Sequence, residues 1–128
     1  DYGVLVNPTI AAGQAHGAMA QGAGHALFEQ AVYDPGSGQP LAASFMDYCL
    51  PRADDLPPFR LAFNGTRCAT NPLGVKGAGE AAMGGIFPAI ANAVADALAQ
   101  AGAEWIDGPA QPARIWAALR AGRDPSRP

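Results

Sequence analysis

Glu80 is the one carboxylate within the glycine-rich stretch "ATNPLGVKGAGEAAMGG", residues 69–85. Glycines on both sides of it let the backbone fit closely around a bound molecule. Alternatively, Glu80 caps the helical run that follows, because unpaired N–H groups at a helix N-terminus favour a carboxylate. The residues themselves leave both interpretations open.

The same loop could bind an anion, since Lys76 lies among backbone amides that glycine leaves uncovered. Neither GxxxxGK[ST] nor GxGxxG is present, because the glycine after Gly77 and Gly79 comes only at Gly84. The spacing therefore argues against a nucleotide-binding loop of either kind. A cofactor phosphate held partly by the loop amides stays open.

The other polar candidates lack the partners that their chemistry requires. His16 and His25 do not share a helix face and have no third ligand, so we expect no metal site in this chain. No nucleophile elbow, CxxC spacing or paired base surrounds the remaining candidates. We assign no chemistry to this second group, which comprises Ser37, Ser44, Cys49, Cys68, Asp54 and Asp55.

A long helix is predicted over residues 11–31, ahead of these loops. Its helical period places Ala15, Met19, Gly22 and Ala26 on one side. A second stripe is almost bare of side chains and consists of Gly13, Gly17, Ala20 and Gly24. Each glycine weakens a helix by about 1 kcal/mol, so another helix or a ligand must lie close to the stripe.

Short strands and two further helices complete the predicted fold, which we class as α+β. "YGVLVN" favours a buried strand that ends at Asn7-Pro8, and "RLAFN" favours another. "QAVY" and "LAASFMDY" can pair as a hairpin across "YDPGSGQP". Helices are predicted over residues 86–102, ending at Gly102, and 111–122, with Pro112 in the first turn and Gly122 as the stop. We predict one domain over residues 1–122, a flexible tail over 123–128, and a true start upstream of Asp1.

The composition indicates a folded protein with few charges on its surface. Apolar residues make up 49% of the chain and charged residues 15%, so we expect part of the surface to face other protein. The net charge of −3 and the scattered basic residues argue against nucleic acid as a partner. No apolar run reaches the about 20 residues of a membrane span, so we expect a soluble, cytoplasmic protein.

Four stretches in the same order carry a family resemblance: "NPTIAAGQAHGAMAQGAGHALFEQAVYD", "SFMDYCLPRADDLPPF", "TNPLGVKGAGEA" and "PARIWAAL". They resemble the C-terminal part of the molybdenum-cofactor-binding large subunit of the xanthine oxidase and aldehyde oxidoreductase family, the molybdenum hydroxylases. The resemblance covers nearly the whole chain. Four ordered motifs are far more specific than one glycine loop.

The resemblance implies a role for several residues. Glu80 matches the glutamate that acts as general base beside molybdenum, and Gln14 matches a glutamine that contacts the pterin. By the same resemblance, the loop directly before Glu80 would lie along the cofactor. This loop comprises Lys76, Gly77, Ala78 and Gly79. The bare stripe of the first helix would then face the cofactor or the protein immediately around it.

The resemblance also implies cofactors, partners and a reaction. The cofactor would be molybdenum-molybdopterin in its cytosine dinucleotide form, with iron–sulfur clusters and FAD on partner subunits or domains. The reaction would oxidise an electron-poor carbon of a small molecule, such as an aldehyde or N-heteroaromatic compound, with oxygen derived from water. Because the family's large subunit is several times longer, this chain would need the remainder of that subunit.

Two functions stay open from the sequence. The first is a catalytic segment of a molybdenum hydroxylase, and the second is a non-catalytic scaffold or assembly domain that keeps the fold. The presence of both Gln14 and Glu80 favours the catalytic segment, because a scaffold needs neither residue.

Overall fold

The computed structural model describes residues 1–123, and the rest of the predicted tail lies outside the described residues. Within this part the chain forms three α-helices, joined by turns and extended chain: α1 (Pro8–Leu27), α2 (Met83–Gln100) and α3 (Pro112–Gly122). A short 3-10 helix covers Ala53–Asp55. None of these helices combines the length and the apolar character that crossing a membrane requires.

The first helix begins at a proline and is capped by the residue before it. The Asn7 side chain accepts a hydrogen bond from the Ile10 N–H at 3.0 Å, and Pro8 occupies the first helical position, where no N–H is needed. At the other end, the N–H groups of Phe28 and Glu29 both donate to the Gly24 carbonyl, at 2.9 and 2.8 Å. The helix therefore starts and ends earlier than the predicted range 11–31.

The buried face of α1 packs against α2 through small residues. Ala11, Ala15, Ala18, Gly22 and Ala26 are buried at helical spacing. A Cβ added at Gly22 would lie 2.5 Å from Ile86 Cγ2, so the missing side chain sets how closely the two helices approach. The predicted face that contains Ala15, Gly22 and Ala26 is thus the one that packs on another helix.

The predicted bare stripe of α1 divides into open and covered positions. Gly13 and Gly17 are exposed, and no atom lies within 4 Å of a Cβ placed at either one. Gly24 is buried beneath the Glu29 carboxylate and the Pro51 ring. The stripe is therefore not one continuous packing surface within residues 1–123.

A glycine turn ends α2 and receives the end of α3. Gly102 has φ +72°, its N–H donates to the Ala99 carbonyl at 3.0 Å, and the Ala103 N–H donates to the Leu98 carbonyl at 2.9 Å. This pattern is a Schellman motif, and it confirms the predicted helix end. A Cβ at Gly122 would lie 2.6 Å from the Gly102 carbonyl oxygen, so only glycine lets α3 end against this turn.

The predicted strands reduce to two isolated β-bridges within the described residues, Gly3 with Val75 and Tyr33 with Pro40. The buried strand predicted over residues 2–7 is wrong beyond its first residues, since Val6 is 77% exposed. The strand predicted over residues 60–64 is wrong as well. A strand forms only where a neighbouring backbone continues the hydrogen-bond ladder, and here pairing stops after one bridge. The regular structure of residues 1–123 is mostly helical with few strand residues, so the predicted α+β class is confirmed only in part.

The predicted hairpin is present as a tight turn without strands. The Asp34 N–H donates to the Gln39 carbonyl at 2.9 Å, and the Leu41 N–H donates to the Val32 carbonyl at 2.7 Å. The turn is closed by Ser37, whose backbone N–H and hydroxyl donate to the Asp34 carboxylate at 2.7 and 2.6 Å. These two bonds lower the pKa of Asp34.

The core is built mainly from alanine, and several large apolar side chains face outward. Leu98 is the most deeply buried of the larger residues, at 2% exposure. By contrast, Phe45 and Met46 are 82% and 92% exposed on the loop between α1 and the 3-10 helix. Apolar side chains this exposed are typical of a surface that another polypeptide covers.

Candidate functional site

The start of α1 places Gln14 beside the glycine-rich loop. Gln14 lies two turns into the helix, and its side chain is exposed. A Cβ added at Gly79 would lie 3.8 Å from Gln14 Nε2, which is ordinary van der Waals contact. The structure therefore brings two of the predicted cofactor-binding residues together, although they are far apart in the sequence.

Asn71 shapes the loop that leads to Glu80. Its side-chain amide donates to the Val75 carbonyl at 3.0 Å, and its side-chain oxygen accepts from the Val75 N–H at 3.2 Å. Between them the backbone turns at Gly74, which has φ +70°. A side chain at that φ would be strained, so asparagine and glycine together set the direction in which the loop leaves.

The opening residues of the chain pair with this loop. The Val4 N–H donates to the Gly74 carbonyl at 3.0 Å, and the Lys76 N–H donates to the Tyr2 carbonyl at 3.1 Å. Gly3, between them, has φ +64°, and a Cβ there would overlap the Gly74 carbonyl oxygen. Two facing glycines thus allow the close backbone contact that fixes the loop as far as Lys76.

An ion pair adds a second attachment at the same point. Lys76 Nζ contacts Asp1 Oδ2, and the two side chains are 34% and 39% exposed. Asp1 Oδ1 also accepts from the N–H groups of Gly3 at 2.9 Å and Thr66 at 3.0 Å. The Lys76 ammonium is therefore engaged by a carboxylate of the same chain.

A shallow groove of about 210 Å³ runs along the joined segments. Three predicted cofactor-binding residues line it, namely Gln14, Lys76 and Ala78. The rest of its wall is mostly apolar and consists of Tyr2, Val4, Leu5, Val6, Asn7, Ile10, Ala11 and Val75. Gly77 and Gly79 lie on the same loop, and no atom is within 4 Å of a Cβ placed at Gly77. The mostly apolar wall with a few polar groups is typical of ligand sites, and the groove, smaller than the about 300 Å³ of a complete pocket, would form one side of such a site.

Glu80 lies on the turn between this loop and α2. Its carbonyl accepts from the Met83 N–H at 3.0 Å, while its side chain is exposed and takes part in none of the ion pairs of residues 1–123. The N-cap of α2 is Ala82, and no side chain caps the helix. The capping interpretation of Glu80 is therefore wrong. In the sequence, Glu80 comes two residues after Ala78, which lines the groove, but Glu80 itself is not among the lining residues.

A second polar cluster holds the end of α1 against the loop after it. Tyr48 Oη donates to Glu29 Oε2 at 2.6 Å, and His25 Nε2 lies 3.5 Å from the same oxygen. The hydrogen bond to the carboxylate raises the pKa of Tyr48, because it favours the protonated phenol. Within residues 1–123 no group of three metal-ligating side chains comes together.

The aspartates and serines without assigned chemistry make local contacts. The guanidinium of Arg52 lies 3.5 Å from a carboxylate oxygen of both Asp54 and Asp55. The backbone N–H of Arg52, followed by its side chain, lowers the pKa of Asp55. Ser44 donates to Asp47 at 3.0 Å within its own turn.

Sequence reasoning missed two residues that shape the site, Asp1 and Asn71. Asn71 had a readable signal, because asparagine before proline and ahead of a glycine favours a turn. Asp1 had none, since its partner Lys76 is 75 positions away and only the folded chain brings them together.

The chain is similar in sequence to a known protein family and to characterised proteins. Residues 1–57 match the family described as the molybdopterin cofactor-binding domain. The chain is 41% identical over 115 residues to the nicotine 6-hydroxylase large subunit of Paenarthrobacter nicotinovorans, covering 90% of this chain and 14% of that protein. It is 37% identical over 116 residues to the carbon monoxide dehydrogenase large chain of Afipia carboxidovorans, covering 91% and 14%.

Solved structures have the same backbone arrangement. The Cu,Mo-containing CO dehydrogenase in its carbon monoxide reduced state superposes with a TM-score of 0.87 at 35% identity, covering 95% of this chain and 15% of that one. Quinoline 2-oxidoreductase from Pseudomonas putida 86 superposes with a TM-score of 0.86 at 36% identity, covering 100% and 16%. The chain thus spans about one seventh of the length of these relatives. It belongs to the family of molybdopterin-binding large subunits of the molybdenum hydroxylases.

Proposed function

We propose that this chain is the segment of a molybdenum hydroxylase that supplies the general base, Glu80, and one wall of the cofactor pocket. The observation that carries the proposal is the proximity of Gln14 and Gly79, where a Cβ added at Gly79 would lie 3.8 Å from Gln14 Nε2. The family resemblance assigns both residues to the cofactor, and their proximity at the loop that ends in Glu80 supports that assignment. A scaffold would have no need of this arrangement.

The residues of the groove fit a pterin cofactor. The exposed Gln14 carboxamide offers both donors and an acceptor, which suits a heterocycle edged with nitrogen and oxygen atoms. The backbone from Lys76 to Gly79 would lie along the cofactor, because the open position at Gly77 leaves its amide approachable. We propose the molybdenum-molybdopterin cofactor in its cytosine dinucleotide form, from the family resemblance and the bacterial relatives. When bound, this cofactor supplies the two-electron oxidation of carbon with oxygen from water.

The role of Glu80 is to accept a proton from the attacking oxygen. Gly79 precedes it, and Gly84 and Gly85 follow it, so none of these three positions adds a side chain near it. The carboxylate is exposed in this chain. We infer that the remainder of the large subunit, which supplies most of the length of the relatives, closes the pocket around it. Closure would exclude water and strengthen the interaction between the carboxylate and a reacting proton.

The proposed partners follow from the family. We propose that the remainder of the large subunit covers the exposed apolar side chains, such as Phe45 and Met46, and that iron–sulfur and flavin subunits carry the electrons away. The substrate would be an aldehyde or an N-heteroaromatic compound. We also propose a cytoplasmic location.

The test is replacement of Glu80 by glutamine in the assembled enzyme. Glu80→Gln keeps the size of the side chain and removes the base, so turnover should fall by about 100-fold to 10,000-fold. Molybdenum and pterin content should stay at the wild-type level, because the substitution adds no bulk. The matched control is Glu104→Gln, the same change at an exposed residue after α2, which should leave turnover unchanged. Turnover is measured by dye reduction with quinoline, nicotine, an aldehyde and carbon monoxide.

Three outcomes decide between the functions. Loss of turnover with intact cofactor content supports the catalytic segment. Full turnover in the Glu80→Gln enzyme overturns the role of this residue. A wild-type assembly that contains neither molybdenum nor pterin overturns the catalytic proposal and favours the scaffold.

A further inference from the structure

One carboxylate joins three segments at the base of the loop that carries Glu80. Asp1 Oδ2 pairs with the Lys76 ammonium, while Asp1 Oδ1 accepts from the N–H groups of Gly3 and Thr66. The joined segments are the opening residues, the stretch around Thr66 and the glycine-rich loop. Hydrogen bonds to an ionised carboxylate are shorter and about twice as strong as neutral ones. This point is therefore a local attachment of the three segments, with the modest strength of a partly exposed ion pair.

The backbone of the loop is held by hydrogen bonds as far as Lys76, and beyond Lys76 it has open space beside it. Its N–H donates to the Tyr2 carbonyl at 3.1 Å, and Val75 before it is bonded through both backbone groups to Asn71. At Gly77, the next residue, nothing lies within 4 Å of a Cβ position. Glu80 follows only three residues later, so its position depends on how firmly Lys76 is held.

We propose that Asp1 and Lys76 are positioning residues, which act as an ion pair to hold the start of the Glu80 loop against the opening segment. The pair occupies the Lys76 ammonium, so the cofactor side of the loop is formed by backbone at residues 76–79 and not by this charged side chain. The effect on the base rests on the proposed function of Glu80. The effect on the loop itself does not, because it follows from contacts within this chain.

The experiment compares matched variants of the full large subunit by amide hydrogen exchange. Asp1→Asn keeps an oxygen acceptor for the Gly3 and Thr66 amides but removes the charge, and Lys76→Met removes the other charge at similar length. In each variant the Lys76 and Val4 amides should exchange about fivefold faster, as expected for loss of a partly exposed ion pair. Lys76→Arg should restore wild-type exchange, and the double variant should be no faster than the single ones.

Asp54→Asn is the control, because it removes one charge from the exposed Arg52–Asp54 pair, 3.5 Å apart. It should leave the Lys76 and Val4 amides unchanged. In the assembled enzyme, Asp1→Asn and Lys76→Met should lower kcat by about fivefold with little change in KM and with normal pterin content, since they displace the base without removing a ligand contact.

The result that overturns the proposal is unchanged amide exchange in both single variants. Loss of pterin in Lys76→Met but not in Asp1→Asn also overturns it, because that pattern assigns the ammonium directly to the cofactor. These results are distinct from failure of the proposed function. If Glu80→Gln retained full turnover while both charge variants exchanged faster, Glu80 would lose its role and the positioning pair would stand.

Discussion

Replacing Gly22 by alanine tests whether the close approach of α1 and α2 limits what this fold tolerates. An added Cβ would lie 2.5 Å from Ile86 Cγ2, 2.8 Å from Ile86 Cβ and 3.3 Å from the Phe87 amide nitrogen. The nearest contact is about 1 Å closer than ordinary carbon–carbon packing allows. One neighbour is the β-carbon itself, so a change of rotamer at Ile86 cannot relieve the clash. The helices must therefore move apart.

Two effects of opposite sign determine how Gly22→Ala changes the free energy of unfolding. Overpacking of this kind costs about 1–3 kcal/mol. Alanine in place of glycine inside a helix stabilises the folded chain by about 1 kcal/mol. Gly22→Ala should therefore destabilise the chain by about 0–2 kcal/mol. Gly17→Ala is the matched control on the same helix, because nothing lies within 4 Å of its Cβ position, and it should stabilise the chain by about 1 kcal/mol.

The difference between the two variants cancels the helix propensity and isolates the packing cost. It should be about 1–3 kcal/mol in urea denaturation of the 128-residue chain, followed by far-ultraviolet circular dichroism. Ile86→Ala should cost less in the Gly22→Ala background than in the wild-type chain, because there it also removes the nearest clashing atom, Cγ2. Equal midpoints for Gly22→Ala and Gly17→Ala would refute the packing argument.

Two further predictions concern the helix cap and a cysteine. Asn7→Ala should cost about 1 kcal/mol of unfolding free energy, because the Ile10 N–H loses its acceptor, and Asn7→Asp should keep most of it; equal urea midpoints for all three proteins would contradict this role. The Thr70 hydroxyl, followed by its backbone N–H, lowers the pKa of the Cys68 thiol. The rate at which iodoacetamide labels Cys68 is measured against pH in a Cys49→Ser background, and its pH midpoint should lie below the usual thiol pKa. Thr70→Val should shift this pH midpoint upward, because the thiolate loses a hydrogen-bond donor. An unshifted midpoint would show that the hydroxyl does not stabilise the thiolate.

The helices could be predicted from sequence because their signals are local. The hydrophobic period, Pro112 at the start of the last helix and Gly102 at the end of α2 all act within a few residues. The ends moved by up to four residues, as at Leu27, where Gly24 accepts two backbone bonds and closes the helix. Backbone competition of this kind is not visible in the apolar pattern.

The strands were predicted less well because pairing is not local. "YGVLVN" and "RLAFN" have the β-branched and aromatic residues that strands favour, yet only Gly3 in these segments makes a bridge. Pairing at Gly3 depends on a turn at Gly74, more than 70 positions away in the chain. A residue pattern describes what one strand would accept and not whether a partner backbone is present.

The candidate site shows the same division. Residue types and the family resemblance pointed to Glu80, to Gln14 and to the loop over residues 76–79, because these motifs and their order can be read directly from the sequence. Only the tertiary structure decided that Gln14 Nε2 lies near Gly79, that Asp1 pairs with Lys76 and that α2 begins at Met83, too late for Glu80 to cap it. The physical reason is the sequence distance over which each interaction acts. Propensities, caps and turns act over a few residues, whereas these contacts depend on how closely glycines let distant backbone segments approach each other.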